Sequence, residues 1–131
     1  MKHFLSGIFI TTTMVFTAMV LNACSDSKPP QISFSGNIHP ILNKHCMECH
    51  QSGGPGFEAS GLNMQSYDTL MKGTKFGPVI KPGDAISSTL VRLIKGKADP
   101  SINMPHGGRQ PLSEVEIQQV ETWINQGAKN N

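Results

Sequence analysis

The sequence predicts a small, loop-rich, all-α domain. Apolar residues recur at helical spacing in several short stretches, and the clearest of them open on capping signals. No segment shows the strong apolar–polar alternation of period two that a half-buried strand needs. With 13 Gly and 9 Pro among 131 residues, the chain is interrupted too often for long regular elements.

The first 23 residues stand apart from the rest. Met1-Lys2-His3 is a short basic start, and Phe4 to Leu21 is mostly apolar, diluted by Ser, Gly and Thr. A charged start, an apolar run and a small residue before a cut describe a secretory signal. The run ends Leu21-Asn22-Ala23-Cys24, which resembles the bacterial lipoprotein box, in which the Cys is acylated and becomes the new first residue. Residues 1–23 are therefore expected to be a removed signal peptide, with Cys24 as the lipidation site. The alternative is an uncleaved membrane helix, because about 18 residues can just span a bilayer. Both readings place the body outside the cytoplasm, facing the periplasm and tethered to a membrane. Ser25, rather than Asp, follows the Cys, which favours the outer membrane. Residues 24–33 are polar and contain Pro29-Pro30, so they are expected to form a flexible linker; residues 25–33 reach about 30 Å when extended. That leaves 34–131 as the folded domain.

Within it, Ile38, Ile41, Leu42 and Cys46 share a helical face and predict a helix from about Asn37 to Glu48, with Pro40 tolerated near its start. Gln51 to Gly56 reads as a loop. Tyr67, Leu70 and Met71 suggest a short helix from Ser66 to Lys72, and Pro78 and Pro82 keep Gly73 to Gly83 irregular. Asp84 or Ser87 is expected to cap a helix with Ile86, Leu90, Leu93 and Ile94 on one face, closed by Gly96. The last helix is the clearest. Ser113 and Glu116 form a capping box, Leu112 can staple onto Ile117, and Ile117, Val120, Trp123 and Ile124 supply the buried stripe before Gly127 stops it.

Eleven basic against nine acidic side chains give a formal charge of only +2. Nucleic-acid binders carry a concentrated basic field, so that partner class is set aside. A domain this small and poor in apolar side chains usually needs a metal, disulfides or a cofactor to hold its core.

Cys46-Met47-Glu48-Cys49-His50 supplies the candidate. C-x-x-C-H is the signature for covalent attachment of c-type haem. On a helical turn, positions three apart lie on one face, so both sulfurs can reach the two vinyl groups on one porphyrin edge. His50 then rises under the ring to hold the iron from the proximal side. Three rivals fit less well. Structural zinc needs four ligands, usually from two clusters, and no second C-x-x-C or H-x-x-x-H exists. A thioredoxin-type thiol pair would sit beside a βαβ pattern, which is missing. A plain disulfide leaves His50 unexplained. One Cys for lipid and two for haem account for all three.

For the second axial ligand, Met104 is the first candidate. Pro105 pushes it away from helical geometry, and Gly107-Gly108 permit close approach of chain to cofactor. A thioether is a soft ligand, and a Met/His pair raises the reduction potential. His106, two residues on, is the alternative distal ligand. Met64 and Met71 read as packing residues, and His39 and His45 as solvent-side or supporting groups on the motif helix.

Taken with these motifs, residues 34 to 128 resemble a small class I cytochrome c domain. The resemblance is carried by Pro40-Ile41-Leu42, Cys46 to His50, Gly61 to Met64, Pro82 to Leu90, Met104 to Gly108 and Leu112 to Ala128. It implies three to four helices around one haem c bound through Cys46 and Cys49, crossed first and last helices, His50 proximal and Met104 distal. The expected function is a membrane-tethered one-electron carrier rather than an enzyme, exchanging electrons with redox protein partners. Some surface lysines would steer an acidic partner to the haem edge. The alternatives are a haem-based enzyme or gas and redox sensor in which the distal ligand dissociates, or an assembly lipoprotein with an incidental motif.

Overall fold

The computed structural model describes residues 29–131. The expected signal segment 1–23 and the lipidation site Cys24 lie outside the described residues.

Ser33 opens the helical part of the chain. Its Oγ accepts the Gly36 N–H at 3.1 Å, while its own N–H is taken by Asn37 Oδ1 at 2.9 Å. That reciprocal cap starts a wide π-type turn, Phe34–Ile38, which runs directly into α1, His39–His45. Pro40 sits in the first turn of α1, where a missing N–H costs nothing. The expected Asn37–Glu48 helix thus begins and ends three residues early, at Phe34 and His45.

Two further elements differ from the sequence reading. Helix α2, Pro55–Ser60, begins inside the stretch expected to be loop; Pro55 occupies its first position and Gly61, at φ 77°, ends it. Helix α4, Thr89–Ile94, starts later than expected, because Asp84 and Ser88 build a turn instead of a cap. Asp84 Oδ1 accepts the Ser87 N–H at 3.0 Å, and Ser88 Oγ donates to Asp84 O at 2.8 Å while accepting the Lys81 N–H at 2.9 Å. Ile86 is consequently 86% exposed, off the face that Leu90 and Ile94 bury.

Helices α3, Tyr67–Lys72, and α5, Glu114–Asn125, agree with expectation. Both carry capping boxes, Ser66 with Thr69 and Ser113 with Glu116. Leu112, Ile117, Val120, Trp123 and Ile124 are all buried. Among the described residues there is no strand, only an isolated bridge between Thr74 and Gly77. The fold is all-α, and among the described residues no helix is long and apolar enough to cross a membrane.

The core is centred on α5. The Phe34–Ile38 turn and α4 both pack on it. Phe34 meets Tyr67 edge-on at 5.3 Å and tilts against Trp123 at 5.7 Å. The polar ends of both partners are satisfied by the chain beyond α5: Tyr67 OH donates to Ala128 O, and Trp123 Nε1 to Lys129 O, each at 2.9 Å. To present those carbonyls Ala128 adopts φ 49°, a conformation few side chains accept. The same C-terminal stretch holds the end of the expected linker. Gln126 accepts the Ile32 N–H at 2.8 Å and donates to Pro30 O at 3.0 Å, and Asn131 Oδ1 accepts the Phe34 N–H at 2.8 Å.

Candidate cofactor site

The chain leaves α1 in tight turns. Leu42 O accepts the N–H groups of both Cys46 and Met47, at 2.8 and 2.9 Å; Cys46 O in turn accepts those of Cys49 and His50, at 3.1 and 3.0 Å. This winding brings Cys46, Cys49 and His50 onto one wall of a cleft of about 530 Å³. That is within the range of small-molecule and cofactor sites, about 300–1,000 Å³. Leu62, Met64, Val79, Leu90, Leu93 and Leu112 contribute to its apolar lining. Met104 and His106 also line it, and the Met104 N–H donates to Leu93 O at 3.2 Å, tying this segment to α4. All the sequence-predicted site residues from Cys46 onward therefore meet at one cleft. Met64, expected to pack, is buried in the core and borders the cleft as well, while Met71 is half-buried against the core.

Cys46 and Cys49 are unlinked, half-buried thiols. Burial, with a lesser contribution from Cys49, pushes the Cys46 thiol up to about 12. Among the described residues, no three His, Cys, Asp or Glu side chains are grouped so that they could hold a metal ion by themselves.

His50 is buried, and its Nδ1 lies 3.3 Å from Leu62 O. Donation of the Nδ1 proton to that carbonyl fixes the tautomer and leaves the Nε2 lone pair for a metal. Burial chiefly holds the imidazole below its usual pKa, against the pull of the Leu62 carbonyl and with a further push from His106. It is thus kept in the neutral form that ligation requires. Helix α2 packs directly on this group: Phe57 N–H donates to Cys49 O at 3.0 Å, and a Cβ at Gly56 would lie 2.8 Å from His50 Cε1. The Met64 N–H closes the other side, donating to His50 O at 2.7 Å.

His45 is a supporting residue rather than a solvent-side one. Its side chain is 6% exposed, borders the cleft and bonds through Nε2 to Glu116 Oε1 at 3.1 Å. Glu116 also receives Lys44 Nζ at 3.0 Å and the Ser113 N–H at 2.8 Å, and these partners hold its carboxyl well below the usual range. At the cleft mouth Arg109 forms a two-pronged pair with Glu48, Nη1–Oε2 2.6 Å and Nη2–Oε1 2.5 Å. This holds the Glu48 carboxyl below its ordinary value.

Residues 46–108 match a family model described as Planctomycete cytochrome C. The stretch is similar to a c-type cytochrome. No curated protein and no solved structure matches the chain. The cytochrome c-like stretch opens on Cys46 and closes on Gly108, so it takes in both the thiol pair and Met104. The similarity implies a haem-binding redox protein, and the residues present fit that group. Two thiols three apart, a neutral imidazole with one nitrogen already oriented, a thioether and largely apolar walls share one cleft.

Sequence reasoning missed Gly56, the Leu62 carbonyl and the Glu48–Arg109 pair. Pro55 directly before Gly56 was the available signal for α2, as Pro favours a first helical position. The Leu62 carbonyl and the ion pair carry no local signal, because their partners lie 12 and 61 residues away.

Proposed function

We propose that this chain is a membrane-tethered, mono-haem c-type cytochrome carrying single electrons outside the cytoplasm. The observation that carries the reading is the meeting of Cys46, Cys49, His50 and Met104 at one largely apolar cleft. Bound there, haem supplies a one-electron Fe(III)/Fe(II) couple. Cys46 and Cys49 would hold it as thioethers, each S–H adding across one vinyl double bond so that sulfur and hydrogen both end on the former vinyl carbons. His50 would hold the iron through Nε2, its ring aimed by the Leu62 carbonyl. Met104 would supply the second thioether ligand from the segment tied to Leu93. If His50 and Met104 both held the iron, no coordination site would be left for a substrate, and the chain would serve as a carrier rather than an enzyme. The apolar walls keep water off the metal, and the Met/His set raises the potential. A lipid on Cys24 keeps the domain at the membrane, on the periplasmic side, where donor and acceptor redox proteins reach it.

The test is an absorption spectrum of the exported protein, oxidised and reduced, with and without carbon monoxide, beside haem staining after denaturing electrophoresis. A low-spin, six-coordinate spectrum in both states, indifference to carbon monoxide and a stained band are expected. Ready carbon monoxide binding would favour the sensor or enzyme class, and a colourless band would remove the haem altogether.

A further inference from the structure

Met104 lies at the start of a segment that has little else to hold it. The Met104 N–H reaches Leu93 O, and Leu112 is buried at the start of the approach to α5. Among the described residues, a single residue between them, Arg109, makes hydrogen bonds, and both go to Glu48. Pro105 and Pro111 have no N–H to give, and no hydrogen bond is made by His106, Gly107, Gly108 or Gln110. Glu48 is the residue between the two cysteines that precedes Cys49 in C-x-x-C-H. The fork therefore joins the turn that bears the proximal set to the segment that bears the distal thioether, across 61 residues of chain.

We propose that the Arg109–Glu48 pair is a positioning clamp that sets how firmly Met104 stays on the iron. This rests on the haem reading above. Two parallel charge-assisted bonds restrict both distance and angle, which a single lysine contact cannot do. Held at Arg109, the segment keeps Met104 against the cleft; released, it is free to swing out about the Leu93 attachment. An exogenous ligand and Met104 compete for the same iron position. Any weakening of Met104 therefore appears as tighter binding of the competitor.

The experiment uses the haem-loaded full chain, with imidazole as the competing ligand and the methionine-to-ferric-iron charge-transfer band as the marker of Met104 ligation. Arg109→Gln is expected to bind imidazole about fivefold more tightly than wild type. It should also show a weakened charge-transfer band. Glu48→Gln should do the same, and the double variant should be no tighter than either single one. Arg109→Lys, which keeps the charge but loses the fork, should follow Arg109→Gln. The exchanged pair Glu48→Arg with Arg109→Glu should return towards wild type. Because Glu48 lies inside the haem-attachment motif, Arg109→Gln is the variant that decides if the others load poorly. Backbone order parameters measured by NMR on the ferrous protein should fall over 106–110 in it while those of 46–50 stay unchanged. Equal imidazole affinity, an intact band and unaltered order parameters in Arg109→Gln overturn the clamp while leaving the haem reading intact. A wild-type protein without haem, or without the methionine band, overturns the haem or Met104 assignment beneath it and the clamp with it.

Discussion

Substituting Gly56 by Ala tests the packing that presents His50. In most helices this exchange stabilises by up to about 1 kcal/mol, because Gly gives up more backbone freedom on folding. Here the added Cβ would stand 2.8 Å from His50 Cε1, 3.0 Å from Nδ1 and 3.0 Å from Cys49 O. Carbon atoms in contact prefer about 3.5–4.0 Å, so the ring must retreat by about 0.7 Å or α2 must move off the motif. Neither has much room. The ring is buried and bonded to Leu62 O, and α2 is tied to Cys49 O through Phe57. Overpacking of this kind costs about 1–3 kcal/mol. With the full helix gain subtracted, a net loss of about 0–2 kcal/mol remains, which still places Gly56→Ala about 1–3 kcal/mol below an unhindered Gly→Ala exchange, and each kcal/mol is worth about 4–8 °C in a domain of this size. Gly36→Ala is the control, since its nearest neighbour would be Ser33 Oγ at an ordinary 3.6 Å. Thermal unfolding of the haem-loaded variants, followed by far-ultraviolet circular dichroism, makes the comparison, and the reduction potential reports on the His50 ring. If Gly56→Ala matches Gly36→Ala in melting temperature and wild type in potential, the argument that α2 fixes the imidazole is refuted.

Three further outcomes follow from the geometry. Glu116→Ala should lower stability by about 1 kcal/mol in urea titrations at neutral pH, through loss of the α5 cap. Because the Glu116 carboxyl titrates below its usual range when folded, its contribution is present above the ordinary Glu pKa and is lost as pH falls below it. The gap between wild type and variant should therefore shrink on acidification; a gap that widens would contradict the pairing with Lys44, His45 and Ser113. Met104→Ala should lower the midpoint potential, by about 59 mV for every tenfold by which the thioether favours ferrous over ferric iron, and should admit carbon monoxide. If His106→Ala did this and Met104→Ala did not, the distal role would pass to His106. Cys24→Ser should move the protein from the membrane to the soluble fraction, and unchanged retention on fractionation would rule out the lipid anchor.

The sequence made legible what is local. Helix α5 was readable because its cap, staple and apolar stripe fall within 13 residues and point to the same element. The same holds for α3. Asp84 misled because Asp caps helices and builds turns with the same side-chain oxygen, and here the Ser87 N–H claims it for a turn. Helix α2 was hidden among Gly and Pro that equally describe a loop. The chemistry-bearing residues, Cys46, Cys49, His50 and Met104, could be picked out as candidates by type and spacing. The groups around them could not. Leu62 O is a backbone carbonyl, Gly56 matters for what it lacks, and Arg109 finds Glu48 only once the chain has folded.

The fastening of Pro30, Ile32 and Phe34 to Gln126 and Asn131 has a mechanical consequence. Tension applied at Pro29 enters the globule beside the C-terminal segment and is resisted first by those side-chain amides, then by the aromatic stack of Phe34 on Trp123. The first bonds to yield under load are thus far along the chain from the residues that line the cleft. Under the proposed tether, a tug at the root of the domain would be absorbed there before it reached the walls that would grip the cofactor.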